Sequence, residues 1–512
     1  MLRPPLALAS AALLLCARGR AASAASSLAW QTSQAGDRLR PLGAVQWADA
    51  APPNAATILQ ADFSTRAQTI VGFGGALTES AAFNFAQLSP ANRTAAARAL
   101  FGSHAQGGNA LSMARVAINS PDFALSDYSY ANETGDYALR SFDHSLARDG
   151  LYVVPFIKAA QAAVAGAGGG PLKLFATPWS PPAWMKVPFG GDIARMDGST
   201  LPGLEGACNA SWALYFSFWF SAMQAQHNIR FWGYTAQNEP TAINATGVQW
   251  DACGYTAEGM VEFLTRFLGP VMQRDHPEVG LMVFDHNNDH VEEWANASYS
   301  DPYVASIAMG TAIHWYSGSL DALNRSHNAW PARPIFHTEG CLGATGREDW
   351  GHAEYYAAQM LGFLQTWCVS FVDWNLMLDE SGGPHHANGG LDAPLIYDGA
   401  GGFFLQPFYY VFGHFSRFLP EGSVVGGAMA YPASQESPPA PEGGFWYDRA
   451  TLALSATMPN GTRVLIVANT GDAPTAGLVL KARAATPGGA FRFADLELPP
   501  HSVRTLTWED GA

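Results

Sequence analysis

The sequence predicts a (β/α)8 barrel joined to a small β-sandwich. Eight short apolar runs alternate with helix-like segments through the middle of the chain. Strand-like segments separated by turns flank them at both ends. Each run ends in polar or aromatic residues, and a barrel carries its chemistry at these strand ends. The runs are Thr69–Ala76, Ala110–Asn119, Leu172–Thr177, Arg230–Asn238, Gly280–Asp285, Ser306–Trp315, Pro334–Glu339 and Val369–Asn375.

Helical segments are predicted between these runs. Ser211–His227 places Trp, Tyr and Phe on repeated turns, and Ala257–Gln273 and Ala353–Gln365 are also helix-like. Strand and helix alternating in this way indicate parallel strands closed into a barrel. By this count, Glu239 ends the fourth barrel strand and Glu339 ends the seventh.

The pattern changes after Gly401. A dense aromatic stretch, Phe403–Phe418, is followed by Pro- and Gly-rich sequence and then by alternating strands around the hairpin signal Pro459-Asn460-Gly461. The strands expected outside the barrel are Thr451–Thr457, Thr462–Asn469, Leu478–Ala482, Ser502–Trp508, Ala44–Trp47 and Ala56–Phe63. The two upstream pieces cannot form a domain alone, so we expect them to complete the C-terminal sandwich.

This interpretation divides the chain into four parts. Residues 1–24 are expected to be a signal peptide and 25–68 the N-terminal strands of the sandwich. The catalytic barrel is expected over 69–423 and the C-terminal part of the sandwich over 424–512.

The charge balance argues against a nucleic-acid partner. The chain has 512 residues, 48% of them hydrophobic, and a formal net charge of −15. No cluster of Lys and Arg stands out, so electrostatic binding to an anionic membrane is not expected either. An uncharged substrate suits such a globular chain better.

The N-terminus has the pattern of an export signal. Arg3 precedes the apolar stretch Leu6–Cys16, and the small residues Ala22-Ser23-Ala24 match a cleavage site. We therefore expect a secretory-pathway protein, delivered to a lysosome or vacuole or released outside the cell. Seven Asn-x-Ser/Thr sequons are consistent with glycosylation there: Asn92, Asn132, Asn209, Asn244, Asn296, Asn324 and Asn460.

The cysteines are too few for a disulfide scaffold. Removal of the signal would leave Cys208, Cys253, Cys341 and Cys368. Cys208 with Cys253 is the one pair considered for a disulfide. Cys341 lies in an apolar context two residues after Glu339 and is expected to be a buried free thiol.

Two motifs suggest glycoside hydrolysis. Thr235-Ala236-Gln237-Asn238-Glu239-Pro240 and Ile335-Phe336-His337-Thr338-Glu339-Gly340-Cys341 each place one glutamate at the end of an apolar run. Glycoside hydrolysis needs two carboxylates, one to protonate the leaving oxygen and one to attack the sugar or activate water. Distant positions can supply both if they end neighbouring barrel strands.

The predicted strand ends are also rich in groups that suit a sugar. A pyranose offers apolar C–H faces and a rim of hydroxyls, so aromatic platforms flanked by Asp, Asn and Arg fit it. The residues are Arg115, Asn119, Asp122, Trp179, Trp184, Asn238, His314, Trp315, Tyr316, Asp373, Trp374 and Asn375.

Seven blocks in order resemble the lysosomal acid β-glucosidase (glucosylceramidase) family over nearly the whole mature chain. The blocks are Gly72–Thr78, Thr177–Lys186, Thr235–Pro240, His314–Tyr316, Glu339–Cys341, Asp373–Leu376 and Gly413–Ser423. The resemblance implies a retaining enzyme that splits glucosylceramide or another β-glucoside without a cofactor or metal. Contact with a lipid surface and an activator protein are further partners of such an enzyme.

The resemblance also implies residue roles. Glu239 would be the acid/base and Glu339 the nucleophile, with carboxylates about 5–5.5 Å apart. Asn238 would hold the 2-hydroxyl, and Arg115 and Tyr316 would keep Glu339 ionised. The remaining substrate-binding positions would be Asp122, Trp179, His314 and Trp374.

One loop departs from the family pattern. Where the family has an asparagine after its Gly-Gly-Pro turn, Gly389 takes the matching place, and neighbouring Asn388 is the expected substitute. The aglycone preference is therefore open, and a β-glucanase or β-xylosidase acting on glycans is the alternative. The aromatic run Phe403–Phe412 with the loop Pro384–Gly390 could supply an apolar rim, or the aromatics could only join barrel to sandwich.

Metal ligation is the less favoured interpretation of the histidine-rich sequences. His385-His386, and Asp285-His286 with Asp289-His290, resemble metal ligands, but loop histidines are common in glycosidases. A serine hydrolase lacks support because no Gly-x-Ser-x-Gly elbow occurs.

Overall fold

A computed structural model describes residues 27–64, 66–188, 194–195, 207–242, 250–387, 389–435, 437, 452–483 and 490–509. Within these ranges the chain forms a closed eight-stranded barrel and a nine-stranded sheet built from both ends of the chain. The predicted fold class, a (β/α)8 barrel with an accessory sandwich, is confirmed.

Three strands precede the barrel: β1 (Leu28–Ser33), β2 (Arg40–Ala44) and β3 (Thr57–Asp62). The barrel strands are β4 (Gly72–Ala76), β5 (Met113–Ile118), β6 (Lys173–Pro178), β9 (Gly233–Thr235), β10 (Gly280–Asn287), β11 (Ala308–His314), β12 (Ile335–Glu339) and β13 (Cys368–Asn375). They close in chain order, all parallel, with β13 pairing β4. A short pair, β7 (Val187–Pro188) and β8 (Ala194–Arg195), lies between β6 and β9.

All eight barrel strands predicted from the sequence are present. Strand β9 ends at Thr235, so Asn238 and Glu239 lie in the loop just beyond it, whereas Glu339 is the last residue of β12. The barrel interior is filled below the strand ends by apolar side chains such as Met113, Phe175 and Phe336. Gly74 is required in β4, because a Cβ there would lie 2.1 Å from the backbone oxygen of Met113.

Helices follow the strands and cover the barrel. They are α1 (Glu79–Gln87), α2 (Pro90–Phe101), α3 (Ala147–Leu151), α4 (Val153–Gly166), α5 (Ala207–His227), α6 (Ala257–Phe263), α7 (Gly269–Asp275), α8 (Val291–Ser300), α9 (Pro302–Ile307), α10 (Leu320–Ala329), α11 (Trp350–Gln365) and α12 (Pro407–Ser416). A π-helical turn, Leu264–Leu268, joins α6 to α7, so the helix predicted over 257–273 is present with this interruption.

Aromatic side chains mark the buried face of a helix. In α5, Trp212, Tyr215, Phe216 and Trp219 are fully buried, which agrees with the repeated aromatics seen in the sequence. Among the described residues, no helix is both long and apolar enough to cross a bilayer.

The remaining strands complete the structure. They are β14 (Met377–Asp379), β15 (Leu395–Tyr397), β16 (Phe403–Leu405), β17 (Val424–Pro432), β18 (Ala453–Thr457), β19 (Arg463–Asn469), β20 (Leu478–Arg483), β21 (Phe491–Asp495) and β22 (Ser502–Trp508). The nine-stranded sheet runs β2-β1-β22-β19-β18-β17-β3-β20-β21.

Strand β17 joins the two layers of this sheet. Its first residues, Val424–Gly426, pair with β18, whereas 427–432 pair with β3. Side chains from both halves, including Leu59, Leu465, Leu480 and Leu506, meet in one apolar core. The N-terminal strands therefore complete the sandwich as predicted. The strand expected over Ala44–Trp47 is wrong beyond Ala44, where β2 ends, and β1, β17 and β21 were not predicted from the sequence.

Two expectations about particular side chains need correction. Cys208, Cys253, Cys341 and Cys368 are free thiols, so the disulfide considered between the first two is wrong. The aromatic run does not form an exposed rim. Phe408, Tyr409 and Phe412 are buried within α12, and Phe403, Phe404 and Tyr410 are partly exposed.

Candidate active site

A cavity of about 830 Å³ opens at the C-terminal ends of the barrel strands. Seven residues singled out from the sequence line it: Asp122, Trp179, Asn238, Glu239, Tyr316, Glu339 and Trp374. Arg115 and His314 are completely buried beside this lining. Asn388 lies outside the described residues.

Glu339 is held by two hydrogen-bond donors. Its Oε2 accepts from Nη1 of Arg115, and its Oε1 accepts from the hydroxyl of Tyr316 at 2.9 Å. The same hydroxyl lies 3.1 Å from the sulfur of Cys341, which is buried as expected. These two donors fix the orientation of the Glu339 carboxylate in the cavity.

Glu239 has a different environment. It adopts a left-handed backbone conformation with φ 46°, and its N–H donates to the carbonyl of Asp285 at 3.0 Å. Its Oε1 lies 3.4 Å from Nδ1 of His286 and 3.4 Å from Nδ1 of His314. His314 Nδ1 is also 3.7 Å from Oε1 of Glu339. One imidazole nitrogen is therefore close to both carboxylates.

Arg115 and Asp285 connect these two glutamates. Nη2 of Arg115 donates to Oδ2 of Asp285 and to Oδ1 of Asn238, each at 2.8 Å. Asp285 also accepts from the hydroxyls of Thr235 and Thr338, both at 2.7 Å, and lies 3.1 Å from His314 Nε2. A fully buried carboxylate requires such donors, because its charge would otherwise be very costly to desolvate.

The charges in this cluster follow from these contacts. Burial opposes ionisation of Asp285, but Arg115 and His314 outweigh it and hold the pKa of Asp285 well below its usual range. Burial likewise opposes a charge on His314, but Glu339, Asp285 and Glu239 raise its pKa to about 9. Burial raises the pKa of Glu239, but His286 and His314 lower it by more, so the pKa lies below its usual value.

Aromatic rings form one wall of the cavity. Trp179 and Trp374 stack with ring centroids 4.9 Å apart, and the Arg115 guanidinium lies 4.8 Å from the Trp179 ring. Trp374 is fixed by its backbone N–H, which donates to Gly340 O at 2.8 Å. Asp122 faces the same cavity, and its carbonyl accepts from the N–H of His386 at 3.2 Å.

Further lining residues come from the loops after β9 and β10. They are Trp250 and Tyr255 and the polar residues Asp289, His290 and Glu293. Of the metal-like sequences, Asp285 and His286 lie beside the two glutamates. His290 Nδ1 instead lies 3.4 Å from Glu293, and Asp289 accepts from Ser317 at 2.5 Å.

Sequence reasoning missed several residues of this site. The sequence contains a signal for Asp285 and His286, because they end the fifth barrel strand, but we interpreted them only as metal-like. It contains no such signal for Trp250 and Tyr255, because they lie in a long loop outside any strand end.

The two histidines after the Gly-Gly-Pro turn lie apart from the two glutamates. His386 pairs with Asp127 at 2.6 Å, and the ring of His385 lies 5.6 Å from that of Phe123.

Comparison with known proteins identifies the family. A family described as the glycosyl hydrolase family 30 TIM-barrel domain matches residues 70–419. The chain belongs to glycosyl hydrolase family 30. It is therefore a glycosidase with a β-glycoside substrate, which agrees with two carboxylates facing one sugar-sized cavity.

The family 30 chain is similar to curated proteins that include glucosylceramidases and endo-1,6-β-D-glucanases. It is 34% identical to putative glucosylceramidase 3 of Caenorhabditis elegans over 468 residues, covering 88% of this chain and 81% of that one. It is 32% identical to the lysosomal acid glucosylceramidase of Mus musculus over 415 residues, covering 78% and 75%.

A solved structure confirms the fold. The endo-β1,6-glucanase BT3312 superposes with a TM-score of 0.76 and 22% identity, covering 94% of this chain and 99% of that one. At this identity, the likeness establishes the architecture alone.

Proposed function

We propose that this family 30 glycosidase is a retaining β-glucosidase that hydrolyses glucosylceramide to glucose and ceramide. The observation that carries the proposal is the position of His314 Nδ1, 3.4 Å from a Glu239 oxygen and 3.7 Å from a Glu339 oxygen. Two carboxylates that approach one nitrogen this closely favour the short separation of a retaining site. The glucosylceramidase relatives support the substrate.

The reaction has two steps in this proposal. First, the ionised Glu339 attacks the anomeric carbon and forms a glucosyl ester, while the bond to the leaving oxygen breaks and that oxygen takes a proton from Glu239. Second, Glu239 takes a proton from a water that attacks the anomeric carbon, the ester bond breaks, and glucose leaves. The aglycone departs as its alcohol after the first step.

The protonation of Glu239 must change during this cycle. In the unliganded cavity, the histidines favour its ionised form. A bound sugar removes water from Glu239, and the anionic Glu339 repels a second negative charge, so both effects favour the protonated acid in the first step. Once Glu339 is an ester its charge is gone, and Glu239 can then act as a base.

The other residues position the sugar and the nucleophile. We assign Asn238 to the 2-hydroxyl, Asp122 to hydroxyls on the far side of the ring, and Trp179 and Trp374 to its apolar face. Arg115 and Tyr316 keep Glu339 ionised, and His314 stabilises both carboxylates. Asn388 remains a proposed contact at the entrance.

The aglycone would occupy the outer half of the cavity. We propose that Trp250, Tyr255 and Leu391, which line the cavity, supply the apolar surface for it. We propose that ceramide enters here with the enzyme at a lipid surface, assisted by an activator protein, in a lysosome-like compartment reached through the secretory pathway. The name of the mouse relative supports this location.

A second candidate is a glucanase that uses the same glutamates. Asp289, His290 and Glu293 also line the cavity, and their polar groups suit the hydroxyls of a second sugar. Such an aglycone would be bound by hydrogen bonds rather than by apolar contact.

Steady-state kinetics with two substrates distinguish the two candidate functions. Glucosylceramide in detergent micelles and β-1,6-linked glucose oligomers are supplied to the purified chain at subsaturating concentration. The proposal expects a higher kcat/KM for glucosylceramide, and Trp250→Ala should lower that value more than the value for an aryl glucoside. A higher kcat/KM for the oligomers would show that the enzyme is a glucanase and not a glucosylceramidase.

A further inference from the structure

Three buried side chains at the strand ends converge on one point. Oε1 of Glu239 lies 3.4 Å from Nδ1 of His286 and 3.4 Å from Nδ1 of His314. One nitrogen or oxygen of each residue lies within 4.8 Å of the other two. Glu239 and His286 are each 8% exposed, and His314 is 0% exposed.

The two imidazole nitrogens make no short hydrogen bond to the described part of the protein. Within the described part of the chain, neither Nδ1 of His286 nor Nδ1 of His314 has a hydrogen-bond partner. At 3.4 Å, their contacts to Glu239 are longer than a good N–H···O bond. Buried nitrogens of this kind are rare, so each requires an explanation.

The spacing is that of ligands around zinc. Zinc binds imidazole nitrogen and carboxylate oxygen at about 2.0–2.2 Å with tetrahedral geometry, which places neighbouring ligand atoms about 3.4 Å apart. Both measured separations have this value. The pair of imidazoles favours zinc over magnesium or calcium, which prefer oxygen ligands.

The surroundings of His314 also match a metal ligand. Its other nitrogen, Nε2, lies 3.1 Å from Oδ1 of Asp285. A carboxylate that accepts the second N–H of a histidine fixes the ring orientation and makes the free nitrogen a better ligand. Asp285 therefore directs Nδ1 of His314 towards Glu239.

We propose that Glu239, His286 and His314 form an inhibitory zinc site within the catalytic cavity. The fourth zinc position faces the cavity, where a water or a substrate hydroxyl would complete the tetrahedron. Zinc occupies the lone pair of Glu239 that would carry the catalytic proton, and it displaces any proton from Nδ1 of His314. The inhibition rests on the proposed acid/base role of Glu239, whereas zinc binding does not.

A second cluster in the same chain provides the control. Asp127, Asp251 and His386 also bring three ligand atoms within 4.8 Å, but Asp127 is exposed. Nε2 of His386 already lies 2.6 Å from Asp127, so an ion pair uses its ligand nitrogen. We expect zinc to prefer the buried cluster.

The test is a titration of the chelator-treated full chain with zinc chloride, followed by calorimetry and by hydrolysis of an aryl β-glucoside. We expect one equivalent to bind, inhibition that EDTA reverses, and no effect of magnesium chloride at the same concentration. In His286→Gln, zinc affinity and the zinc inhibition constant should weaken at least tenfold, each measured against the variant's own zinc-free rate. His386→Gln should match the parent chain.

X-ray absorption of the zinc-loaded parent chain provides a readout independent of any variant. Two imidazole nitrogens at about 2.0–2.1 Å with oxygen ligands support the site, whereas a sulfur ligand would move the metal to a cysteine and overturn it. Unchanged zinc affinity in His286→Gln, or its loss in His386→Gln, would also overturn it. Absence of glucosidase activity would refute the proposed function, while the calorimetry would still decide the zinc site.

Discussion

The backbone N–H of Glu239 donates to the backbone carbonyl of Asp285 at 3.0 Å, and the Asp285 side chain binds the same arginine that holds Glu339. Phe284 and Asp285 have φ of 80° and 73°, where β10 shifts its register against β11. This bulge turns the carbonyl of Asp285 towards one glutamate and its carboxylate towards the arginine of the other. One residue therefore positions both glutamates.

Asp285→Asn tests this relationship. Asparagine tolerates the left-handed backbone and keeps the carbonyl, so only the negative charge beside Arg115 is lost. We expect the free energy of unfolding to fall by about 3 kcal/mol, because a buried ion pair is broken. We also expect kcat/KM to fall roughly a hundredfold, because Arg115 no longer holds Glu339 in place. Urea unfolding and steady-state kinetics measure the two effects.

Asp289→Asn is the matched control for that variant. Asp289 lies just after the end of β10, and its carboxylate accepts from Ser317 rather than from Arg115. The change in its unfolding free energy should stay within about 0.5 kcal/mol. Equal behaviour of the two variants would show that Asp285 has no special role in holding the glutamates.

Glu239→Ala tests the acid/base assignment through the leaving group. Substrates with very good leaving groups need no protonation, so their first step should survive the substitution, whereas glucosides with poor leaving groups should lose most of their turnover. Added azide should attack the glucosyl ester and yield β-glucosyl azide, detected by mass spectrometry. Equal loss for all leaving groups would argue against this role.

The sequence predicted the barrel well because its strands carry a strong local signal. Buried parallel strands contain apolar runs, such as 281–284 in β10, and polar residues that follow such runs lie at the end of the barrel where the cavity opens. Glu239 and Glu339 and the aromatic residues Trp179 and Trp374 accordingly line the cavity, as the sequence predicted. Strand β17 was missed because Gly426 and Gly427 interrupt its apolar pattern.

The rest of the site depends on contacts between distant segments. Nothing local places His286 beside His314, since β10 and β11 bring them together only after the barrel closes. The same holds for the aromatic run 403–418. Its composition suggests either a rim or a core, and only the packing of α12 against the barrel and sandwich makes most of it core.

Asp373 makes stability depend on pH. Its Oδ1 accepts from Tyr356 at 2.6 Å and from Trp374 N at 3.0 Å, while Oδ2 has no hydrogen-bond partner among the described residues. Burial raises the pKa of Asp373 to about 8. The folded chain therefore keeps a proton that the unfolded chain loses near pH 4, so stability falls as pH rises from about 4 to 8.

Asp373→Asn should remove this dependence, because the amide stays neutral and its oxygen can still accept from Trp374 N. The difference in unfolding free energy, variant minus parent, should increase by about 1.4 kcal/mol per pH unit between pH 5 and pH 7. Denaturant titrations at three pH values give this slope. A flat difference would mean that Asp373 is already ionised in the folded chain.

Gly389→Asn tests the loop that departs from the glucosylceramidase pattern. A Cβ at Gly389 would meet no atom within 4 Å, so a side chain has room there. We expect the melting temperature to stay unchanged and the ratio of kcat/KM for glucosylceramide to that for glucose oligomers to increase, because an amide is added at the cavity entrance. Gly399→Asn, at a positive φ of 75° away from the cavity, controls for a general effect of a new surface asparagine. An unchanged ratio would show that this loop does not determine substrate specificity.

Trapping of the glucosyl ester tests the central claim most directly. A 2-deoxy-2-fluoroglucoside with a good leaving group should form an ester that hydrolyses slowly, because the fluorine destabilises the transition state of the second step. Peptide mass spectrometry of the inactivated chain should find one fluoroglucosyl group on Glu339, and Glu339→Gln should fold but remain unlabelled. A label on Glu239 or on any other carboxylate, or inactivation without a covalent adduct, would contradict the assignment of Glu339 as the nucleophile.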